Sequence, residues 1–133
     1  MKEDISKLLK LTFLIHFFVA IIFGLVFTFI LELYKDITGW LYYDPVTGRV
    51  LGAVFIGLAA ASLLSWRETK WQKVKIVVQM EIVWLFIGTA VQIIAVFMFP
   101  NYGNPFIVWI QIGILIFFFV AFAWFYYDQE RGK

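Results

Sequence analysis

Four stretches of this sequence, 11–31, 50–66, 74–99 and 106–127, are built almost wholly from Ile, Val, Leu, Phe, Ala, Gly and Trp. Charged residues collect in the gaps between them; inside the four runs there are only Lys75 and Glu81. About 20 such residues, wound as a helix rising about 1.5 Å each, cross a hydrocarbon core of roughly 30 Å. A water-soluble fold would have to expose most of this Phe, Ile and Trp. Hydrophobic residues make up 63% of the chain and charged ones 15%, where soluble domains sit near half and about a quarter. The sequence therefore predicts an all-α, polytopic membrane protein, a four-transmembrane-helix bundle forming a single domain over 1–133.

The first run reads as a retained helix. It is longer than the roughly 7–15 apolar residues of a signal peptide, and no small-x-small cleavage site follows it. The segment 32–48, with Trp40, Tyr42 and Tyr43, reads as a loop along the membrane surface, where aromatic rings with polar tips settle. Within it, 44–48 has the chemistry of a turn, after which Arg49 opens the second helix. The segment 67–75 is a basic loop flanked by Trp66 and Trp71, and the two prolines and one glycine of 100–105 make a tight turn.

Alternating loops place Lys2, Lys7, Lys10, Arg67, Lys70, Lys73, Lys75, Arg131 and Lys133 on one side, and Lys35 and Arg49 on the other. The positive-inside rule then puts both termini in the cytoplasm, with the chain in the cell (cytoplasmic) membrane. So strong a bias argues against insertion in both orientations. The net charge of +2 is too small to point to a nucleic-acid partner.

Lipid is as apolar as leucine, so membrane helices associate through small residues and polar contacts. Thr12, His16, Ala20, Gly24 and Thr28 recur every four residues in the first helix, and Ala53, Gly57, Ala61 and Ser65 in the second. These stripes predict a close hairpin. Gly24 and Thr28 also match Gly88 and Gln92 at one constant offset, a faint sign of a parallel duplication.

The polar residues inside the runs suggest two sites. His16, Gln79, Glu81 and Ser62 fall in the half nearest the basic loop and form a candidate polar cavity opening toward the cytoplasm, with Glu81 and His16 as its titratable pair. Gln92 and Gln111, each about two turns from the 100–105 turn, are candidate interhelical contacts at matching heights, with Thr28 as a third.

Catalysis finds no support in the motifs. There is no serine–histidine–acid spacing, no His-Glu-x-x-His and no phosphate-cradling glycine loop. Cysteine is absent, and one histidine cannot supply a multi-histidine metal site. No cofactor or metal is expected. Two functions lead, and a membrane enzyme is the third and weakest reading. One is a small integral membrane protein acting through helix packing, as a homo-oligomer or an accessory subunit of a membrane complex. The other is a small solute or ion carrier, or a lipid-binding protein, using the polar cavity around Glu81 and His16. The partners expected are the lipid bilayer, other membrane subunits and a lipid or small solute.

Overall fold

The computed structural model describes residues 2–99 and 101–131. Its elements are α1 (Lys7–Phe29), α2 (Leu31–Thr38), α3 (Pro45–Arg67), α4 (Trp71–Met98) and α5 (Pro105–Arg131). All but α2 are long and apolar enough to cross a membrane, with mean hydropathy of 1.7 to 2.6 over their best windows. Large apolar side chains such as Ile76, Phe97, Phe106 and Phe117 stand mostly exposed along them, as lipid-facing residues do. Among the described residues there is no β-strand beyond a single bridge between Asp4 and Lys70.

The four long helices all start before their predicted bounds, while α1 and α4 stop one or two residues short of theirs, and local chemistry explains two of the starts. α1 starts at Lys7 because the Ser6 side chain accepts a hydrogen bond from the Leu9 N–H at 3.2 Å, capping the first turn. The expected 44–48 turn is instead the start of α3: Asp44 accepts from the Thr47 N–H at 2.5 Å and Pro45 takes the first helical position. Asp-Pro followed by a glycine serves a turn or a helix start equally well. Here packing decides, because Gly48 lies inside the helix against Leu31. Pro100 of the last turn and Lys133 of the tail lie outside the described residues.

The expected surface loop contains a helix. α2 breaks from α1 at Ile30 and ends at Gly39, whose positive φ of 66° suits glycine and lets its N–H reach Lys35 O at 2.9 Å. Leu31 and Thr38 are buried and Tyr34 half-buried on one face, while Leu33 and Ile37 stand out on the other. The Asn104 N–H donates to Thr38 O at 2.6 Å, which ties α2 to the α4–α5 turn.

α1 and α3 form the tight hairpin. A Cβ added at Gly24 would lie 2.7 Å from the Ile56 side chain and 3.2 Å from Gly52 O; one added at Gly52 would lie 2.8 Å from Thr28 N. The two backbones are in direct contact. On α1 the predicted face holds: Thr12, His16, Ala20 and Gly24 are buried. On α3 it holds only at the last position: Ser65 is buried, but Ala53 and Gly57 are exposed, and Gly48, Gly52, Ala59 and Ser62 pack inward. A step of four drifts about 40° per repeat around a helix, whereas alternating steps of four and three follow one face. Gly24 and Gly88 also play different parts. The first is a backbone contact, and a Cβ on the second would meet only Trp84, at 3.6 Å.

α4 and α5 make the second hairpin, and the two hairpins touch each other more sparingly. Both chain ends and the α3–α4 connection converge on one end of the bundle. There the Lys2 N–H donates to Gln129 O at 2.8 Å, the Ile5 N–H to Thr69 O at 2.9 Å, and the Trp71 N–H to Glu3 O at 2.8 Å. The side chains of Trp71 and Lys75 both bond Glu130, at 2.8 and 2.9 Å. Beneath this basic end Leu9, Phe13, Trp71, Val74, Val78 and Phe122 form a tight apolar layer.

Candidate functional site

Three of the predicted polar residues meet. His16 Nδ1 and Ser62 Oγ share a hydrogen bond of 2.7 Å, and His16 Nε2 lies 3.6 Å from Glu81 Oε2. The first contact links α1 to α3 and the second faces α1 to α4. At 3.6 Å the second is an electrostatic approach and not a hydrogen bond. The Trp84 indole N–H donates to the same Glu81 oxygen. Phe118 and Phe122 stand edge-on to the imidazole, at 4.8 and 5.6 Å between centroids. Ser62 and Glu81 are wholly buried and His16 is 3% exposed. Glu81 Oε1 has no hydrogen-bond partner among the described residues.

Gln79 is not part of this cluster. It is exposed, and its amide donates to the Tyr126 hydroxyl at 3.0 Å. Two residues along a helix are about 200° apart, so Gln79 and Glu81 cannot share a face. The cluster also lies deeper than the shorter predicted helices implied. His16 is nine residues into α1, about 14 Å along its axis.

A serine, a histidine and an acid thus come together without any sequence spacing to announce them. Their arrangement does not suit acyl transfer. Ser62 is sealed between α1 and α3, and the backbone N–H groups of a helix interior are already bonded, so they cannot serve as an oxyanion hole.

Beside His16 begins a cavity of about 370 Å3. It does not open toward the basic end, as the sequence suggested, because the apolar layer under that end blocks the way. It runs in the opposite direction, between the hairpins. Phe23, Phe55, Trp84 and Leu115 wall it, and Gln92, Gln111 and Tyr102 stand at its far end. Ser62, Gln79 and Glu81 do not line it. A smaller compartment of about 90 Å3 continues to Tyr34, Thr38 and Trp40, sharing Phe27, Gln92, Tyr102 and Gln111 with the first.

Gln92 and Gln111 do reach one cavity from α4 and α5, but the Gln111 amide donates to the Tyr34 hydroxyl of α2, a helix the sequence reading did not contain. Gln92 Oε1 is buried with no partner among the described residues. Thr28 packs its side chain against Gly52, and its hydroxyl likewise has no partner there. The aromatic walls were missed altogether. Phe23 and Phe27 follow His16 and Ala20 on one helical face, which was the available signal.

Outside the four long apolar helices, Glu32 of α2 accepts from Arg49 at 2.7 Å and from Tyr43 at 2.8 Å. The Arg49 bond first, then that of Tyr43, brings its carboxyl down to about 2. Burial, with Tyr102 beside it, pushes the Tyr34 phenol up to about 12, and burial raises that of Tyr102 as well. No group of three or more metal-ligating side chains occurs among the described residues. Compared with protein-family models, with curated proteins and with solved structures, the chain finds no match.

Proposed function

We propose that this chain is an integral membrane protein that holds a small, largely apolar molecule between its two helical hairpins, with the basic end and both termini in the cytoplasm. The cavity of about 370 Å3 carries the reading. A bundle whose role was packing alone gains by filling such a space, and Gly88 on its wall has room for a larger side chain. Ligand pockets are of this size and this apolar character, with a few polar groups to fix orientation. The buried Ser62–His16–Glu81–Trp84 chain supports the cavity floor by linking α1, α3 and α4. The sidedness rests on the Lys and Arg residues gathered at one end.

The test is native mass spectrometry of the protein extracted gently from its membrane, beside a Gly88→Leu variant. The expected result is a co-purifying small molecule in the parent and its loss in the variant, with the variant at least as resistant to unfolding. A parent that carries no guest, and a variant whose unfolding is unaffected by the added side chain, would overturn the reading.

A second reading is favoured by the outer face of α3. Ala53, Gly57 and Ala60 are exposed, and nothing lies within 4 Å of a Cβ placed at Gly57. Small residues facing lipid permit close approach of another helix. This supports assembly with a second copy or with a larger membrane complex. A fixed stoichiometry in the same mass spectrum would establish it, and a monomer would count against it.

A further inference from the structure

The chemistry of the walls narrows what the cavity takes; this step rests on the cavity reading above. No Asp, Glu, Lys or Arg lines the main cavity or the compartment beyond it among the described residues. An ion entering there would shed its hydration and meet no opposite charge, a far larger cost than a neutral group incurs. The two nitrogens of His16 are directed at Ser62 and Glu81, so its ring offers the cavity little beyond an aromatic surface.

Apart from the His16 cluster, the hydrogen-bonding side chains that line the space gather at the end away from His16: Gln92, Gln111, Tyr102 and Tyr34, with Thr38 and Trp40 beside them. None of them carries a charge. Gln92 Oε1 is buried without a partner among the described residues. The Tyr34 hydroxyl accepts from Gln111, which leaves its own hydrogen to donate. At the other end the surface is aromatic: Phe23 and Phe55 lie 6.1 Å apart by ring centroid, and Phe55 and Trp84 6.3 Å. Such faces and edges favour rings over flexible chains.

We infer that the guest is a neutral, ring-bearing lipophile with an oxygen-containing head, seated with that head among Gln92, Gln111 and Tyr102 and its apolar body against Phe23, Phe55 and Trp84. The class is set by three features together: no charge on the walls, amides and phenols at one end, aromatic rings at the other. Acyl chains with charged headgroups and inorganic ions fall outside it.

The experiment uses three probes of matched size: 4-pentylphenol, pentylbenzene and, ionised at pH 8, 4-pentylbenzoate. Uptake is measured by equilibrium dialysis into lipid nanodiscs carrying the full chain, against empty nanodiscs. The parent takes up the phenol and the hydrocarbon and excludes the benzoate. Gln92→Leu forfeits no bond made by its oxygen among the described residues, and it lowers pentylphenol affinity about fivefold, the worth of one net hydrogen bond. Pentylbenzene uptake stays unchanged in that variant and so reports an intact cavity. The inference is overturned if the benzoate binds as well as the phenol, if Gln92→Leu leaves phenol affinity untouched, or if both neutral probes are lost together. Failure of every probe in the parent instead removes the cavity reading itself, and the inference with it.

Discussion

Replacing Gly52 with alanine should split the α1–α3 hairpin, and replacing Gly57 with alanine should not. The new Cβ at Gly52 would lie 2.6 Å from Thr28 Oγ1, 2.8 Å from Thr28 N and 3.0 Å from Phe27 C. Ordinary van der Waals contact begins near 3.4 Å. The hydroxyl could rotate away, but Thr28 N and Phe27 C are backbone. The helices must therefore separate by roughly half an ångström, loosening the reciprocal seat of Gly24 on Gly52 O. Overpacking of this kind costs about 1–3 kcal/mol. At Gly57 the same methyl meets nothing within 4 Å, so only helix propensity changes, and it favours alanine by up to about 1 kcal/mol. Gly52→Ala gains the same helix propensity, so the two variants should differ by the overpacking cost alone, about 1–3 kcal/mol, with the Gly52 variant the weaker. Unfolding of each in mixed micelles by a titrated denaturing detergent, followed by helical circular dichroism, measures the difference. Equal stabilities, or a Gly57 variant that is the weaker monomer, would refute the assignment of the inward face of α3.

Three other outcomes are expected. Ser62→Ala leaves His16 Nδ1 without its 2.7 Å partner in a buried site and should cost about 1–3 kcal/mol, while Gln79→Ala, on the exposed side of the same helix as Glu81, should be nearly silent in the same unfolding assay. Because the chain has no cysteine, single cysteines at Thr69 and Thr47 can be labelled in intact cells with a membrane-impermeant maleimide; label at Thr47 only is expected, and label at Thr69 only would reverse the orientation. The Glu32 carboxyl sits well below its ordinary 4.5, at about 2. A depressed carboxylate contributes stability above its unfolded pKa and loses it as the pH falls through the folded one. Hydrogen exchange of α2 should therefore be insensitive to this group at neutral pH and speed up only between about pH 4.5 and 2. An effect centred near neutrality would assign the change to another group.

Four apolar runs, the charges between them and the basic bias are one-dimensional quantities, and they were enough to read four helices long and apolar enough to cross a membrane, with both ends together. The α1 face was legible too, since Thr12, His16, Ala20 and Gly24 differ in size or polarity from the large apolar residues around them. The azimuth of α3 was not. Small residues are spread around that helix, and only the partner surfaces of α1 and α2 select Gly48, Gly52 and Ala59 over Ala53 and Gly57. The meeting of His16, Ser62 and Glu81 was half legible. Their depths could be counted, but Gln79 was grouped with them because depth was weighed without azimuth. The direction of the cavity was decided by tertiary structure alone. Whether space remains above or below His16 depends on how bulky side chains from four helices fill each layer. Leu9, Phe13, Trp71 and Phe122 close one end, while the sparing contact between hairpins leaves the other open. No single helix carries that information, because a void belongs to the packing between elements and to none of them alone.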